Sequence, residues 1–119
     1  MRTLTLAQSA RLDANWKASR AAIAKDGDTP DHRPVVKLFD PCGGATWLLT
    51  ECDYKTQIAF GLCDLGHGSP ELGSVSMTEL TAYYGRFTTG IERDRHWRAA
   101  GTLSQYAAAA REAGRIVEL

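Results

Sequence analysis

Residues 35–80 constrain this chain more than any other stretch, because short apolar runs alternate there with glycines, prolines and carboxylates. Residues 35–39 stop at Asp40-Pro41 and the Gly43-Gly44 turn, residues 46–52 stop at the polar link 53–57, and residues 58–65 enter a glycine-rich loop. Apolar runs of this length between turn formers are strands, and the polar link predicts a hairpin between the second and third. Residues 72–75 supply a further short strand, and residues 91–97 alternate well enough to predict another.

Helices frame these strands. Thr5-Leu6-Ala7-Gln8, Ser76-Met77-Thr78-Glu79 and Thr102-Leu103-Ser104-Gln105 each fit a capping box. In that box a hydroxyl accepts from the backbone three residues on, and the Gln or Glu reaches back. The first box predicts an N-terminal helix within residues 1–25, ended by Lys25-Asp26-Gly27, with Leu12, Trp16 and Ile23 on its buried side. The second predicts a short helix at 76–84, ending near Tyr84-Gly85. The third predicts a helix over 102–118, whose stripe of Leu103, Ala107, Ala110, Ala113 and Val117 allows close approach to a sheet while Arg111 and Arg115 face solvent. Residues 26–34 are polar, contain Pro30 and Pro34, and read as a surface connection. The expected architecture is α+β: a small, mostly antiparallel sheet over residues 35–100, N-terminal and C-terminal helices packed on it, and one short middle helix.

A chain of 119 residues suits one domain with one core, residues 1–119. Its 14 basic residues balance its 14 acidic ones. That argues against a general nucleic-acid binder, which is normally basic overall, although net charge says nothing of local patches. The cysteines are Cys42, Cys52 and Cys63, with no Cys-x-x-Cys spacing among them. The first residues lack the apolar run of a signal peptide, and no stretch reaches transmembrane length. A reduced, cytoplasmic protein without membrane attachment is expected. No heptad seam or long apolar strand demands assembly, so monomer and homodimer both stay open.

The candidate chemistry competes with plainer readings. Gly66-His67-Gly68 lies in the glycine loop, but no Gly-Lys-Ser/Thr follows and no helix opens behind it, so a turn with positive φ angles is expected there rather than a phosphate cradle. Glu51 and Asp53 share one face of a continuing strand, Asp64 and Glu71 flank the glycine loop, and Glu92 and Asp94 form a similar pair. Carboxylates converging at one sheet end can hold Mg²⁺ or share a proton, but at hairpin ends they more often cap turns. Cys63 with His67 lacks the paired spacing of structural zinc, so no metal or cofactor is expected. In a strand over residues 92–98, Arg93, Arg95 and Trp97 would share a face and could stack bases; a salt-bridged edge strand is the preferred reading. Trp47, inside an apolar run, is expected in the core.

Several long motifs point to one family. They are Val36-Lys37-Leu38-Phe39-Asp40-Pro41, Thr46-Trp47-Leu48-Leu49-Thr50-Glu51, Phe60-Gly61-Leu62-Cys63-Asp64-Leu65-Gly66, Pro70-Glu71-Leu72-Gly73, Val75-Ser76 and Ile91-Glu92-Arg93-Asp94. With Leu12 and Asn15 near the start and residues 106–117 at the end, the chain resembles domain of unknown function 2958 over nearly its whole length. His67, Ser69 and Trp97 stand where that pattern more often has other residues.

The resemblance implies a small bacterial protein, often encoded on plasmids and other mobile elements among anti-restriction and transfer functions. It carries no catalytic residues and no cofactor. The expected function is therefore a non-enzymatic accessory factor that binds a host or element-encoded protein and counters host defence. The competing expectation is a small metal-assisted hydrolase or nuclease using several of Glu51, Asp53, Asp64, Glu71, Glu92 and Asp94. The expected interaction residues are Asp64, His67 and Glu71 on the rim of the glycine loop, joined by Asp94 and His96.

Overall fold

The computed structural model describes residues 4–83 and 90–119. In chain order it contains α1 (Leu6–Lys25), β1 (Val36–Phe39), β2 (Thr46–Asp53), β3 (Ile58–Asp64), β4 (Glu71–Ser76), α2 (Met77–Ala82), β5 (Glu92–Arg93) and α3 (Leu103–Ala113). The strands form one antiparallel sheet in the order β4-β3-β2-β1-β5. This is the α+β architecture expected from the sequence.

Alternation along β2 divides the core into two layers. Trp47 and Leu49 point to one face, where they meet Val36 and Leu38 of β1, Leu12 of α1, and Met77 and Leu80 of α2. Leu48 points to the other face and joins Leu62 of β3 beneath Leu103, Tyr106, Ala107 and Ala110 of α3. The sheet is thus covered by α1 and α2 on one side and by α3 on the other, and each layer buries its own apolar set. The small side chains of Ala107 and Ala110 let α3 lie close to the strands, as their spacing suggests.

A bulge interrupts the β2–β3 pairing between Leu49 and Glu51. Thr50 is the additional residue, and its hydroxyl donates to the Phe60 carbonyl at 3.2 Å, in place of a ladder bond. Opposite Leu49 lies Gly61, where a Cβ would sit 2.0 Å from the Leu48 carbonyl oxygen. Only glycine allows β3 to approach β2 this closely.

β1 pairs with β2 only as far as Leu49. Beyond that point the edge of β2 is flanked by α1, whose Asn15 Nδ2 donates to the Thr50 carbonyl at 2.9 Å. This changes which side of α1 is buried. Leu12, Asn15 and Ser19 are the buried residues, whereas Ile23 is 43% exposed and Trp16 is half-buried. Of the expected Leu12–Trp16–Ile23 stripe only Leu12 is buried, because α1 packs partly on a strand edge, which requires polar partners as well as apolar contact.

Capping chemistry sets the helix starts. Thr5 and Gln8 complete a reciprocal box, each reaching the other's backbone N–H at 3.0 Å. The Ser76 hydroxyl accepts from Glu79 N at 3.1 Å, and Gln105 Oε1 accepts from Thr102 N at 2.8 Å. α3 is shorter than expected: Gly114, at φ 75°, closes it in the left-handed conformation, so Val117 is not helical and Ala113 is exposed. α2 ends at Ala82, with Tyr83 already extended, so it is shorter than expected; Tyr84 and Gly85 lie outside the described residues.

The expected strand over residues 91–97 shrinks to β5. After Arg93 the Asp94 side chain accepts from His96 N, and Trp97 N donates to the Asp94 carbonyl, which turns the chain out of the sheet. The two alternating faces expected of that segment therefore do not form. Gly66 and Gly68 adopt the positive φ angles expected of the glycine loop.

Candidate functional site

α3 covers only part of its face of the sheet. The uncovered part is the far end of the β2–β3 hairpin and the adjacent length of β4, where a cleft of about 530 Å³ opens. Glu51, Asp53, Ile58, Phe60 and Ser74 form its floor, and Trp16 and Arg20 of α1 form a wall. The register explains the grouping: Glu51 pairs with Phe60, Phe60 with Ser74, and Asp53 with Ile58. Cross-strand partners project from the same face, so these side chains reach the cleft together.

Glu51 is the most constrained of them. It is 7% exposed, and its Oε1 accepts from the Ser19 hydroxyl at 3.0 Å. Because Ser19 donates to Glu51, it accepts from His32 Nε2–H at 3.1 Å, which assigns that ring nitrogen the proton. Ser19 is fully buried and bonded on both sides, so it links the loop after α1 to β2. The Arg20 guanidinium lies 3.9 Å from Glu51 Oε2 and 5.7 Å from the centroid of the Trp16 ring. Asp53 serves the hairpin turn, accepting from Lys55 N and from the Thr56 hydroxyl.

Beside the cleft runs an apolar strip. Ile58 and Phe60 are 40% and 36% exposed, and Leu72 on β4 is 46% exposed. Leu72 pairs with Leu62 and Ser74 with Phe60, which places Leu72 diagonal to Phe60 on the same face. β4 is also an edge strand among the described residues, so one side of its backbone has no ladder partner there.

The residues expected to interact are distributed differently. Asp64, 4% exposed, ends β3 and accepts from Gly66 N through Oδ1 and from Ile116 N through Oδ2, tying the glycine loop to the segment after α3. His67 and Glu71 are exposed on that loop and at the start of β4. Asp94 and His96 follow β5, at the opposite edge of the sheet. Two strands separate β3 from β5, so Asp64 stands about 14 Å from that edge by strand spacing alone. The fold therefore groups Asp64, His67 and Glu71 around one loop and leaves Asp94 and His96 apart from them. Among the described residues, no group of three or more His, Cys, Asp or Glu side chains is placed to hold a metal ion. Asn15, Ser19 and His32 were not among the expected site residues; the spacing of Leu12, Asn15 and Ser19 on one helical face is the signal that could have found the first two.

A family model described as protein of unknown function (DUF2958) matches residues 3–117. The chain belongs to this family. The DUF2958 match spans both helical layers and every strand, including the Phe60–Leu72 strip. No curated protein and no solved structure matches the chain. Among the described residues of this DUF2958 protein, no helix is long and apolar enough to cross a membrane.

Proposed function

We propose that this DUF2958 protein is a non-enzymatic accessory factor that binds a partner protein at the β3–β4 end of its sheet. The observation that carries the reading is the contiguous exposed strip of Ile58, Phe60 and Leu72 beside the open edge of β4. An extended segment of the partner adds to β4 by backbone hydrogen bonds and sets apolar side chains against Phe60 and Leu72. Trp16 and Phe60 are the aromatic anchors such an interface favours, and Glu51 and Arg20 give it a polar rim. Three of the six carboxylates that a hydrolase would use have structural partners: Asp64 holds two backbone amides, Asp53 caps a turn and Glu51 accepts from Ser19. The setting in a plasmid or mobile element and the role against host defence rest on the family resemblance, and the cytoplasmic location rests on the cysteine pattern.

The test is affinity capture from nuclease-treated lysate with wild type, Phe60→Lys and Leu72→Lys, each first checked for native circular dichroism. The expected result is one protein captured in near-equal amount by wild type and lost by both variants. The captured protein should then protect the amides of β4 from hydrogen exchange. Capture unchanged by either substitution, or protection confined to other elements, overturns the reading.

A further inference from the structure

A different surface lies between the start of α1, residues 33–35 and the loop after β5, where a cleft of about 520 Å³ opens. A second, of about 430 Å³, adjoins it across Arg33, Pro34 and Val35. Arg11, His32, Arg33, Arg95, His96 and Arg98 line the pair, and among the described residues no carboxylate lines either.

The arginines of this groove are not neutralised. Arg11, Arg33, Arg95 and Arg98 form no ion pair with any described residue; Arg33 donates instead to the Ala99 carbonyl at 3.4 Å. Arg95 and Arg98, which follow β5, thus lack the ion pairs that a salt-bridged strand would have given them among the described residues. The nearest carboxylates stand behind the lining: Asp31 caps α3 at Ser104, and Glu118 binds Lys37 and the Trp97 indole. Asp94 faces a separate cleft beside Lys37. The lining of the two clefts is thus cationic although the chain as a whole is neutral.

We infer that this groove binds the phosphate backbone of nucleic acid. Four guanidinium groups without a carboxylate ion pair match phosphates in chemistry, because each can bind one through two parallel N–H donors. A protein partner would need an apolar anchor, yet none of the large apolar side chains exposed among the described residues lines the groove. The aromatic side chain there, Trp97, packs at 5.7 Å against the Tyr106 ring and donates its indole N–H to Glu118. It is committed to α3 and does not serve as a base-stacking platform, so binding reads the backbone and not the sequence.

Fluorescence anisotropy with the full chain tests this, using labelled duplex and single-stranded oligonucleotides of mixed sequence and an unlabelled poly-glutamate competitor. With four phosphate contacts, affinity for duplex should fall about a hundredfold between about 50 mM and about 200 mM salt. Single strands should show a shallower dependence, with a slope of about −0.7 per contact against about −0.9 for duplex. Arg95→Ala or Arg98→Ala should each weaken binding and lower the salt slope by about 1, without changing circular dichroism. Leu65→Ser, at an exposed position in the glycine loop, should bind as wild type does. The inference is overturned by no binding at the lowest salt, by affinity that ignores salt or the arginine substitutions, or by poly-glutamate binding more tightly than both nucleic acids.

Discussion

Asn15 and Thr50 lie 35 positions apart in the chain, and the Asn15 amide donates to the Thr50 carbonyl at 2.9 Å across a buried contact. This bond completes the bulge of β2. The Thr50 side chain satisfies the Phe60 carbonyl on one flank, while Asn15 satisfies the Thr50 carbonyl on the other. Without a β1 partner at this position, the helix supplies the missing donor.

Asn15→Ala should destabilise the fold by about 1–3 kcal/mol, because it leaves a buried carbonyl without a donor. Asn15→Asp should be at least as harmful, since an ionised carboxylate cannot donate. Urea denaturation of both variants measures the difference; equal stability to wild type would mean that water replaces the amide.

Gly61→Ala should cost about 3 kcal/mol, the upper end for overpacking. The added methyl would meet the Leu48 carbonyl oxygen at 2.0 Å and the Leu49 Cα at 2.8 Å, both backbone atoms of the central strand that cannot rotate away. Gly68→Ala is a contrasting control: nothing lies within 4 Å of its Cβ position, and its cost comes from φ +83° alone. Thermal denaturation should rank the two, with Gly61→Ala melting lower.

Asp31 should contribute to stability in a pH-dependent manner. Its carboxylate accepts from Ser104 N and the Ser104 hydroxyl at the start of α3, although it belongs to the loop before β1. The Ser104 hydroxyl bond is the main cause that holds its pKa below 3.8. A depressed carboxylate stabilises the fold above its unfolded pKa, and that contribution disappears as pH falls through the lower folded value. Because the group is largely exposed, Asp31→Ala should cost only about 0.5–1 kcal/mol at neutral pH. The gap between variant and wild type should close under acid. A gap independent of pH would contradict this account.

Cys52 should resist alkylation in the native state. Burial, reinforced by the negative charges of Asp53 and Asp13, pushes its thiol up to about 11, so little thiolate exists near neutral pH. Burial also raises Cys63. Mass-spectrometric mapping of maleimide labelling should show Cys52 reacting at the rate of opening, accelerated by urea, and not at the rate of a free thiol. Rapid native labelling of Cys52 would show that β2 opens locally.

The legible parts of the fold were those specified by local pattern. Alternation in residues 46–52 and 58–64 encodes strands, the polar link 53–57 encodes their hairpin, and hydroxyl residues at 5, 76 and 102 mark helix starts. The buried face of α1 was misread because its neighbour is in part a polar strand edge, so Asn15 and Ser19 go inward while Ile23 remains 43% exposed. The strand expected at 91–97 failed because the Asp94 side chain competes for the backbone it would have paired. Neither surface proposed for binding follows from local sequence: Phe60 and Leu72 become neighbours only through the β3–β4 register, and Arg11, Arg33, Arg95 and Arg98 meet only after folding.

By itself the sequence determined the α+β class, the family, the principal strands and the helix starts, because these depend on side-chain alternation, capping and turn residues acting over a few positions. Only the tertiary structure decided which polar groups of α1 support the bulged strand, which end of the sheet stays uncovered, and which arginines of a neutral chain come together. Those features depend on the pairing of distant segments, where hydrogen bonds and charges become neighbours that no local pattern specifies.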